Sequence, residues 1–558
     1  MAPGPIVPFK IENILIGKED PINDTCINIG ESILNAFKSR PDFIGQVDAI
    51  TGIENTFQQM REKSVKCALW LKNLGVQRND VIIVYSHNHL NTYIPFLATL
   101  YIGAILSVWD ESRTMNLRYF LTESRPKIIF TDLNKTPCIL KIAEKINIST
   151  KIVIFEEEKK DKAKRQNKFI SMESILNTAF TNTEIDKFSC VELKSSKDTA
   201  MIIFASGVTG AIPKDVVIPH AFFTAPSNQE TPVMVPDDIG LWISSLGWNI
   251  NLLLTVRAIL SYVKAIKFHG LFKKDDESLL CCFIQKYKVT WIFLETRMCF
   301  QFSSFDIFKK YDISSLKKVL IGGNPLPDDI YEDFAYALPN AFVIQVYCLP
   351  ETGVIAYQRK IKEYTFNVGK NIHLVFVDVS DYQPVTPYNI GVLWCKSPSL
   401  LNAYSISTML TVIDDNGWFR TEDVGYYEPN GNFYILDRGK HLIKFRKHHF
   451  SPVALECLLK CHPEVTNAAV APVWDVFDGQ HSMALIIRKE KSKVTEEELK
   501  QYIVKYSNCC CMHLHAGVVF VRKLPVLRNG YFDRKEIFKI ANGNYIGLKS
   551  RDFCETSV

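Results

Sequence analysis

Residues 199–214 read Thr-Ala-Met-Ile-Ile-Phe-Ala-Ser-Gly-Val-Thr-Gly-Ala-Ile-Pro-Lys, and an extended pattern resumes at residues 216–218. The first part predicts a buried strand, and the second predicts a turn of small and hydroxyl residues that ends on a lysine. Such a loop can wrap phosphate groups with its backbone N–H groups, while the lysine adds a positive charge. It is not a Walker loop, because the Gly-Lys-Ser/Thr ending and the following helix are absent. Taken alone, a loop of this composition is more often a plain surface turn.

Short β-branched runs of the same kind alternate with helical patterns along the rest of the chain. They occupy residues 81–85, 126–130, 151–155 and 318–321. Continuous apolar strands separated by amphipathic segments are typical of parallel sheets covered by helices on both faces. The predicted fold class is therefore α/β.

The composition of the sequence changes after Trp394, where closely spaced Asp, Asn and Gly residues predict a series of turns between β-strands. One of them, Asn430-Gly431, predicts a hairpin, because glycine tolerates the positive φ that such turns require. Further on, Ser451-Pro452 predicts the capped start of a helix in a new αβ unit. We expect a large N-terminal domain over residues 1–437, which includes a β-rich subdomain, and a small α+β domain over residues 438–558.

The composition is that of an ordinary globular protein. The 558 residues include 65 Lys+Arg and 60 Asp+Glu, which gives a formal charge of +5, and 47% are hydrophobic. This charge is too small to indicate a nucleic-acid partner. The 15 cysteines are an odd number, scattered through apolar stretches, and indicate a reducing compartment. Since no secretory or transit pattern opens the sequence, we expect a cytoplasmic protein.

Two segments bear on membranes and targeting. Residues 93–109 form the uncharged run that could be considered for a bilayer crossing, but Pro95 and Gly103 interrupt it, and a spanning helix needs about 20 apolar residues. We predict a helix, a glycine turn and a buried strand there, and no transmembrane segment. Residues 554–558 are not a Ser-Lys-Leu peroxisomal signal. They could suit a partner that captures C-terminal carboxylates, although a free polar tail is the simpler interpretation.

Five motifs follow the small-residue loop in a fixed order. They are Ile321-Gly322-Gly323-Asn324-Pro325-Leu326, Tyr347-Cys348-Leu349-Pro350-Glu351-Thr352, Gly391-Val392-Leu393-Trp394, Gly417-Trp418-Phe419-Arg420-Thr421-Glu422-Asp423 and Asp437-Arg438-Gly439-Lys440. In this order of motifs the chain resembles the adenylate-forming superfamily, which includes acyl- and aryl-CoA synthetases, 4-coumarate–CoA ligases and insect luciferases. The resemblance extends from about residue 50 to residue 537, and the ordered set is far more specific than any single motif.

The resemblance implies a mobile C-terminal lid that closes over a cleft in which ATP binds. A carboxylate would attack the α-phosphate of ATP to form an acyl-adenylate, and after the lid rotates the thiol of CoA would displace AMP. The implied cofactors are ATP, Mg²⁺ and CoA as co-substrate, and the implied partner is a small hydrophobic carboxylic acid, fatty or aromatic. The same resemblance admits a peroxisomal location.

The residue types suit these roles. Asp423 is a carboxylate that can accept two ribose hydroxyls, and Glu351 offers the hard oxygen atoms that Mg²⁺ prefers. Gly322 and Gly323 leave room for a flat adenine against the backbone, on which Tyr347 would stack. The resemblance adds nucleotide contacts from Ser206, Gly207, Gly210, Asn324 and Arg438, and catalytic roles for Thr209, Lys214, Glu351 and Lys440, the last after lid rotation. Each residue also has a purely structural interpretation, as a turn cap, strand glycine, core aromatic or surface ion pair.

Several positions depart from the family pattern. Tyr531 stands where the family has the lid lysine that bridges the carboxylate and the α-phosphate, and losing one such contact commonly costs about 10²–10³ in rate. Arg528 is three residues away, but a guanidinium there need not reach the same point. Pro350 replaces a threonine, Asp215 puts an anion near the phosphate loop, and Lys447 replaces a glycine of the pantetheine tunnel. We expect adenylation to be slow or absent.

Two functions stay open from the sequence. One is a carboxylate–CoA ligase, and the other is a binding protein of the same fold that has lost catalysis and retains an acyl, nucleotide or protein ligand. Luciferase activity has no support beyond shared ancestry. His448-His449 is more simply a pair of exposed polar residues. Residues 509–515, which are rich in Cys and His, are interpreted as a helix-to-strand junction, with a metal site as the alternative for this segment.

Overall fold

A computed structural model of the chain describes most of the sequence. The described residues are 13–21, 28–109, 117–155, 169–205, 214–230, 234–244, 246–270, 276–301, 305–323, 326, 328–358, 366–378, 381–400, 413–414, 416–438, 441–446, 448–507, 512–526 and 532–555.

Within these ranges the strands and helices alternate through the first two thirds of the chain. In chain order the strands are β1 (Leu15–Ile16), β2 (Ile44–Asp48), β3 (Glu54–Thr56), β4 (Val81–Tyr85), β5 (Ile105–Trp109), β6 (Ile128–Thr131), β7 (Lys151–Ile154), β8 (Ile170–Ser171), β9 (Thr199–Ala205), β10 (Lys214–Pro219), β11 (Ile239–Trp242), β12 (Lys264–Lys267), β13 (Trp291–Glu295), β14 (Lys318–Gly322), β15 (Phe342–Leu349), β16 (Gly353–Gln358), β17 (Asn367–Val368), β18 (His373–Val377), β19 (Gly391–Lys396), β20 (Phe419–Tyr427), β21 (Phe433–Arg438), β22 (Ile443–Phe445), β23 (His448–Phe450), β24 (Val465–Asp475), β25 (Gly479–Arg488) and β26 (Val518–Phe520).

The helices lie between these strands, except α16, which follows β26. They are α1 (Ile29–Ser39), α2 (Phe57–Asn73), α3 (Tyr93–Tyr101), α4 (Leu117–Ser124), α5 (Thr136–Lys145), α6 (Met172–Leu176), α7 (Asn182–Asp186), α8 (Ala221–Thr224), α9 (Pro226–Glu230), α10 (Asn249–Leu260), α11 (Glu277–Tyr287), α12 (Thr296–Gln301), α13 (Asp328–Ala337), α14 (Pro452–Lys460), α15 (Glu496–Tyr506) and α16 (Arg534–Glu555).

Two large sheets form the body of the molecule. One has the strand order β10-β9-β5-β4-β6-β7-β8, and all its neighbouring pairs are parallel except β9 with β10. The other has the order β17-β16-β15-β14-β13-β11-β12-β2-β3, with parallel pairing from β15 to β2. Helices α1, α2, α3 and α10 contribute to a shared apolar core with strands of both sheets. The predicted α/β class is confirmed.

A third, antiparallel sheet of order β1-β18-β19-β20-β21 forms the β-rich subdomain. The β-rich part starts before Trp394, because β18 already belongs to this sheet, so the boundary read from the turn composition is too late. The hairpin at Asn430-Gly431 is present, with Gly431 at a φ of +88°. The predicted domain boundary at Asp437 and Arg438 falls at the end of β21.

The residues after 441 build a fourth sheet of order β23-β22-β25-β24, to which β26 adds on β25. Two apolar clusters of this part draw only on residues 443–541. Its first helix begins as the sequence predicts, because the Ser451 hydroxyl accepts a hydrogen bond from the N–H of Val453 and Pro452 occupies the first helical position.

Residues 93–109 form α3, a turn and β5, as predicted. Among the described residues, no helix has the length and apolar content that a bilayer crossing requires.

Candidate functional site

The carboxyl ends of β14 and β15 bring two of the predicted nucleotide residues together. The strands are parallel and Gly322 pairs with Val346, so Gly323, the first residue after β14, lies next to the position of Tyr347 on β15. Gly323 has a φ of +113°, which residues with a Cβ rarely adopt. The chain can therefore turn out of the sheet here without placing a side chain over the strand ends.

Asp423 connects this edge to the β-rich sheet. It lies on β20, is 4% exposed, and its Oδ2 accepts a 2.5 Å hydrogen bond from the Oη of Tyr347. Its backbone N–H donates to the Oγ1 of Thr421 (3.1 Å), and that hydroxyl donates to the carbonyl of Leu393 (2.8 Å). Because burial disfavours an anion without hydrogen-bond donors, the Tyr347 hydroxyl stabilises the charge of the carboxylate, while the Thr421 contacts fix the backbone of β20 at this position. Asp423, Tyr347 and Gly323 thus form one unit at the meeting of two sheets.

Arg438 lies directly opposite Asp423 in the ladder between β21 and β20. The predicted pair of ribose and phosphate contacts therefore occupies one register position at the last strand of the β-rich sheet. The structure describes the backbone of Arg438 but not its side chain.

Glu351 sits in the turn between β15 and β16 and is half-buried. A buried amide holds this turn: the Oδ1 of Asn228 accepts a 2.7 Å hydrogen bond from the N–H of Val354, and its Nδ2 donates to the carbonyl of Phe222 (2.8 Å). Gly353, with a φ of +72°, lies so close to that amide that a Cβ would be 2.4 Å from it. Asn228 therefore holds the turn that carries Glu351, although no local pattern in the sequence marks it.

Trp248 fills the space beside Gly323. A Cβ on Gly323 would lie 2.7 Å from the indole, and the indole meets the ring of Phe293 edge to face at 6.3 Å between centroids. The space next to Gly323 that faces Trp248 is thus occupied by the indole of Trp248, whereas the sequence predicts that the glycine leaves space for adenine. Trp248 precedes α10 and is half-buried, which suits an aromatic wall of the cleft.

Other predicted site residues lie outside the described parts of the chain. Lys214 starts β10 opposite Ala205, so the two ends of the small-residue loop are paired, while the Lys214 side chain is not described. Residues outside the description are Ser206, Gly207, Val208, Thr209, Gly210, Asn324, Lys440, Lys447, Arg528 and Tyr531. Of the 509–515 segment, residues 512–515 are described and lie between α15 and β26, at the predicted junction.

The donor chemistry at the edge fits the Mg²⁺ that the resemblance implies. Carboxylate oxygens are its preferred protein ligands, and Glu351 brings one carboxylate to the strand ends near Tyr347. Asp423 is the second carboxylate of this edge, and one of its oxygens is engaged by Tyr347.

Comparisons with known proteins agree with this architecture. Residues 35–405 match the family model described as AMP-binding enzyme, and residues 454–530 match the model of the AMP-binding enzyme C-terminal domain. Among curated relatives, the Peroxisomal OPC-8:0-CoA ligase 1 of Arabidopsis thaliana is 28% identical over 90% of this chain and 91% of its own length. The Luciferin 4-monooxygenase of Photinus pyralis is 26% identical over 94% of this chain and 96% of its own.

Solved structures show the same fold. ATP-bound MatB from Rhodopseudomonas palustris superposes with a TM-score of 0.76 at 18% identity, covering 92% of this chain and 99% of that one. A red-emitting luciferase from Phrixothrix hirtus has a TM-score of 0.76 at 23% identity, covering 95% and 98%. With the motif order, the two model matches and this architecture together, the chain belongs to the adenylate-forming superfamily of AMP-binding enzymes.

Proposed function

We propose that the protein is an ATP-dependent carboxylate–CoA ligase acting on a hydrophobic acid, fatty or aromatic. The observation that carries the proposal is the buried Asp423 carboxylate, fixed by Tyr347 beside Gly323 where two sheets meet. Such a group accepts paired hydroxyls, and ribose supplies them. Relatives named as CoA ligases over nine tenths of the chain support the reaction type.

In this proposal each residue has a defined task. Asp423 accepts the ribose hydroxyls and Tyr347 holds that carboxylate in place while its ring faces the adenine. Glu351 would hold Mg²⁺, which supplies charge neutralisation of the triphosphate. Arg438 contacts ribose or phosphate, and Thr209, Lys214 and the backbone of Ser206, Gly207 and Gly210 contact the phosphates.

The reaction has two balanced steps. A carboxylate oxygen of the acid forms a bond to the α-phosphorus of ATP, the bond from that phosphorus to the bridging oxygen breaks, and pyrophosphate leaves. The sulfur of CoA then bonds to the acyl carbon, the bond to the AMP oxygen breaks, and the thiol proton passes to solvent. Lys440 acts in the second step, after lid rotation. The reaction takes place in the cytoplasm or the peroxisome.

A second candidate is favoured by one residue. Tyr531 replaces the lysine that stabilises charge in the first step, so the protein could bind nucleotide and acid without joining them. This candidate is a binding protein for an acyl group, a nucleotide or a protein, and its fold and cleft are the same.

Pyrophosphate exchange distinguishes the two. Exchange of labelled pyrophosphate into ATP is measured with a panel of fatty and aromatic acids for the wild type, Asp423→Ala and Tyr531→Lys. Asp381→Ala, at an exposed position, is the matched control. The ligase predicts exchange by the wild type and Asp381→Ala that Asp423→Ala abolishes. If Tyr531→Lys exchanges label and the wild type does not, the result supports the binding protein. If no variant exchanges label and calorimetry detects no ATP binding, the result contradicts both the ligase and the binding protein.

A further inference from the structure

Three large apolar side chains stand in solvent at the tip of the β24–β25 hairpin, in the C-terminal part of the chain. Trp474 is 68% exposed, Val476 is 80% exposed and Phe477 is 94% exposed. Since an aromatic side chain contributes roughly 150–250 Å² of surface, these three residues expose an apolar area on the order of 400 Å². Exposed apolar patches of a few hundred Å² on single chains often mark interaction sites.

Hydrogen bonds fix the backbone of this hairpin tip. The Oδ1 of Asp475 accepts hydrogen bonds from the N–H groups of Phe477 (2.9 Å) and Asp478 (3.1 Å). From the neighbouring turn between β22 and β23, the N–H of Arg446 donates to the carbonyl of Asp478 (2.7 Å), and its Nε donates to the Oδ1 of the same residue (2.7 Å). The tip therefore presents its apolar side chains from a preorganised backbone, which lowers the entropy cost of covering them.

The two acidic groups of the tip are turned inward. The Oδ2 of Asp478 lies 2.9 Å from the Nε2 of His481, and the Oδ2 of Asp475 lies 3.9 Å from the Nδ1 of the same ring. The side chains of Asp475 and Asp478 are 12% and 21% exposed. Both carboxylates are thus engaged inside the protein, by an imidazole and by the Arg446 guanidinium, rather than facing outward beside the apolar side chains.

Cationic side chains lie next to the apolar tip. Lys444 is exposed, and its backbone N–H donates to the Oε1 of Gln480, the residue opposite Trp474 in the ladder between β24 and β25. The side chain of Arg446 is 64% exposed even though it contacts Asp478. Residues 443–450, which carry both cations, contain no Asp or Glu. The tip therefore combines apolar side chains with a positively charged border.

This combination favours a lipid surface over a protein partner. A stable protein–protein interface buries about 800 Å² on each partner, roughly twice the apolar area of the tip. A bilayer sets no such requirement, because Trp and Phe are favourable at its interface and anionic headgroups attract neighbouring Lys and Arg. We propose that Trp474, Val476 and Phe477 insert into the surface of a membrane that contains anionic lipids. Lys444 and Arg446 then lie among the headgroups.

Flotation of the full-length protein with unilamellar vesicles tests this surface. We expect the wild type to bind mixed vesicles of phosphatidylcholine and phosphatidylserine, and to bind phosphatidylcholine alone more weakly. The double variant Trp474→Ser with Phe477→Ser should bind the mixed vesicles about tenfold more weakly or less, because the apolar contribution is lost. Lys444→Glu should weaken binding to the mixed vesicles only. Tyr336→Ser, at a 90% exposed tyrosine of α13, is the matched control and should bind as the wild type does.

Tryptophan emission gives a second readout of insertion. Mixed vesicles should shift the emission of the wild type to shorter wavelength, and Trp474→Phe, which keeps an aromatic side chain at the tip, should bind with a smaller shift. Equal vesicle binding by the wild type and the double variant overturns the proposal, as does a wild type that binds neither kind of vesicle. A dimer that light scattering detects without lipid and that Phe477→Ser dissociates would assign the tip to a second copy of the chain instead. Because neither ATP nor acid is present, the result is independent of the proposed ligase reaction.

Discussion

Lys267 places an amino group inside the body of the molecule. It lies on β12 between Trp242 of β11 and Asp48 of β2, is 1% exposed, and its Nζ has no hydrogen-bond partner among the described residues. Burial lowers the pKa of this lysine to about 8. The charged form is therefore disfavoured in the folded protein, because a cation removed from water needs partners that the surroundings of Lys267 do not supply.

Lys267→Met should stabilise the protein at neutral pH. Between about pH 8 and pH 10.5 the unfolded lysine holds its proton and the folded one does not, so stability rises with pH through that window. Below about pH 8 the buried, charged lysine lowers the free energy of unfolding by up to about 3 kcal/mol, and methionine removes this penalty. Urea unfolding at pH 7 and pH 10 measures the gain, which should shrink at the higher pH. Lys264→Met, at the half-exposed start of the same strand, should show little gain, and a pH-independent gain for Lys267→Met contradicts the account.

Tyr347→Phe should weaken ATP binding several-fold. It removes the hydroxyl that donates to Asp423, and a hydrogen bond to a charged group contributes about 1.5–3 kcal/mol, part of which the ribose hydroxyls recover. Calorimetric titration with ATP measures the change, and Asp423→Asn should lose more. Tyr427→Phe, whose hydroxyl donates to the carbonyl of Val385, serves as the control. Wild-type affinity in Tyr347→Phe would show that the pair does not serve the nucleotide.

At the scale of elements, the turn from β15 to β16 depends on a close approach of backbone and side chain. Gly353→Ala combines a positive φ with a Cβ 2.4 Å from the Asn228 amide, whereas Gly431→Ala has the positive φ alone and open space around it. We expect the first to cost about 1–3 kcal/mol more than the second, because strain adds to the steric displacement of Asn228. Chemical denaturation of both variants measures the difference. Equal costs would mean that the Asn228 contact does not constrain the turn.

The elements themselves are largely predictable from the sequence, since β4, β9 and α14 follow from local runs and caps. The start of the β-rich sheet is not predictable from the sequence, because β18 has the same kind of apolar run as a parallel strand. Only its antiparallel pairing with β19 assigns it to the β-rich sheet. The site divides in the same way. Gly323, Tyr347 and Asp423 are marked by motifs, whereas Asn228 acts through contacts with residues distant in sequence.

At the scale of the whole molecule, one ion pair ties the C-terminal part together. Glu456 of α14 is 3% exposed, accepts a 2.7 Å hydrogen bond from the N–H of Val470 on β24, and makes a bidentate contact with Arg534 of α16. Removing one member of such a pair leaves an uncompensated buried charge. The contact thus joins two helices to the central hairpin of this part.

Glu456→Gln should destabilise the C-terminal part by about 3 kcal/mol, close to the range for breaking a buried pair. If residues 1–437 and 438–558 are separate domains, as predicted, calorimetry should show a lower melting transition for the second and an unchanged one for the first. Glu464→Gln, at an exposed glutamate beyond the same helix, is the control. A common shift of a single transition would contradict the predicted division.

The packing of Trp248 on Gly323 also gives the protein a built-in optical reporter. The chain has eight tryptophans, and Trp109, Trp242, Trp291, Trp394 and Trp418 are buried away from solvent. Trp248 stands half-open at the strand ends, next to Phe293. A ligand that enters this crevice changes the polarity around the indole, so the emission of the unlabelled protein follows occupancy directly, and Trp248→Phe supplies the blank.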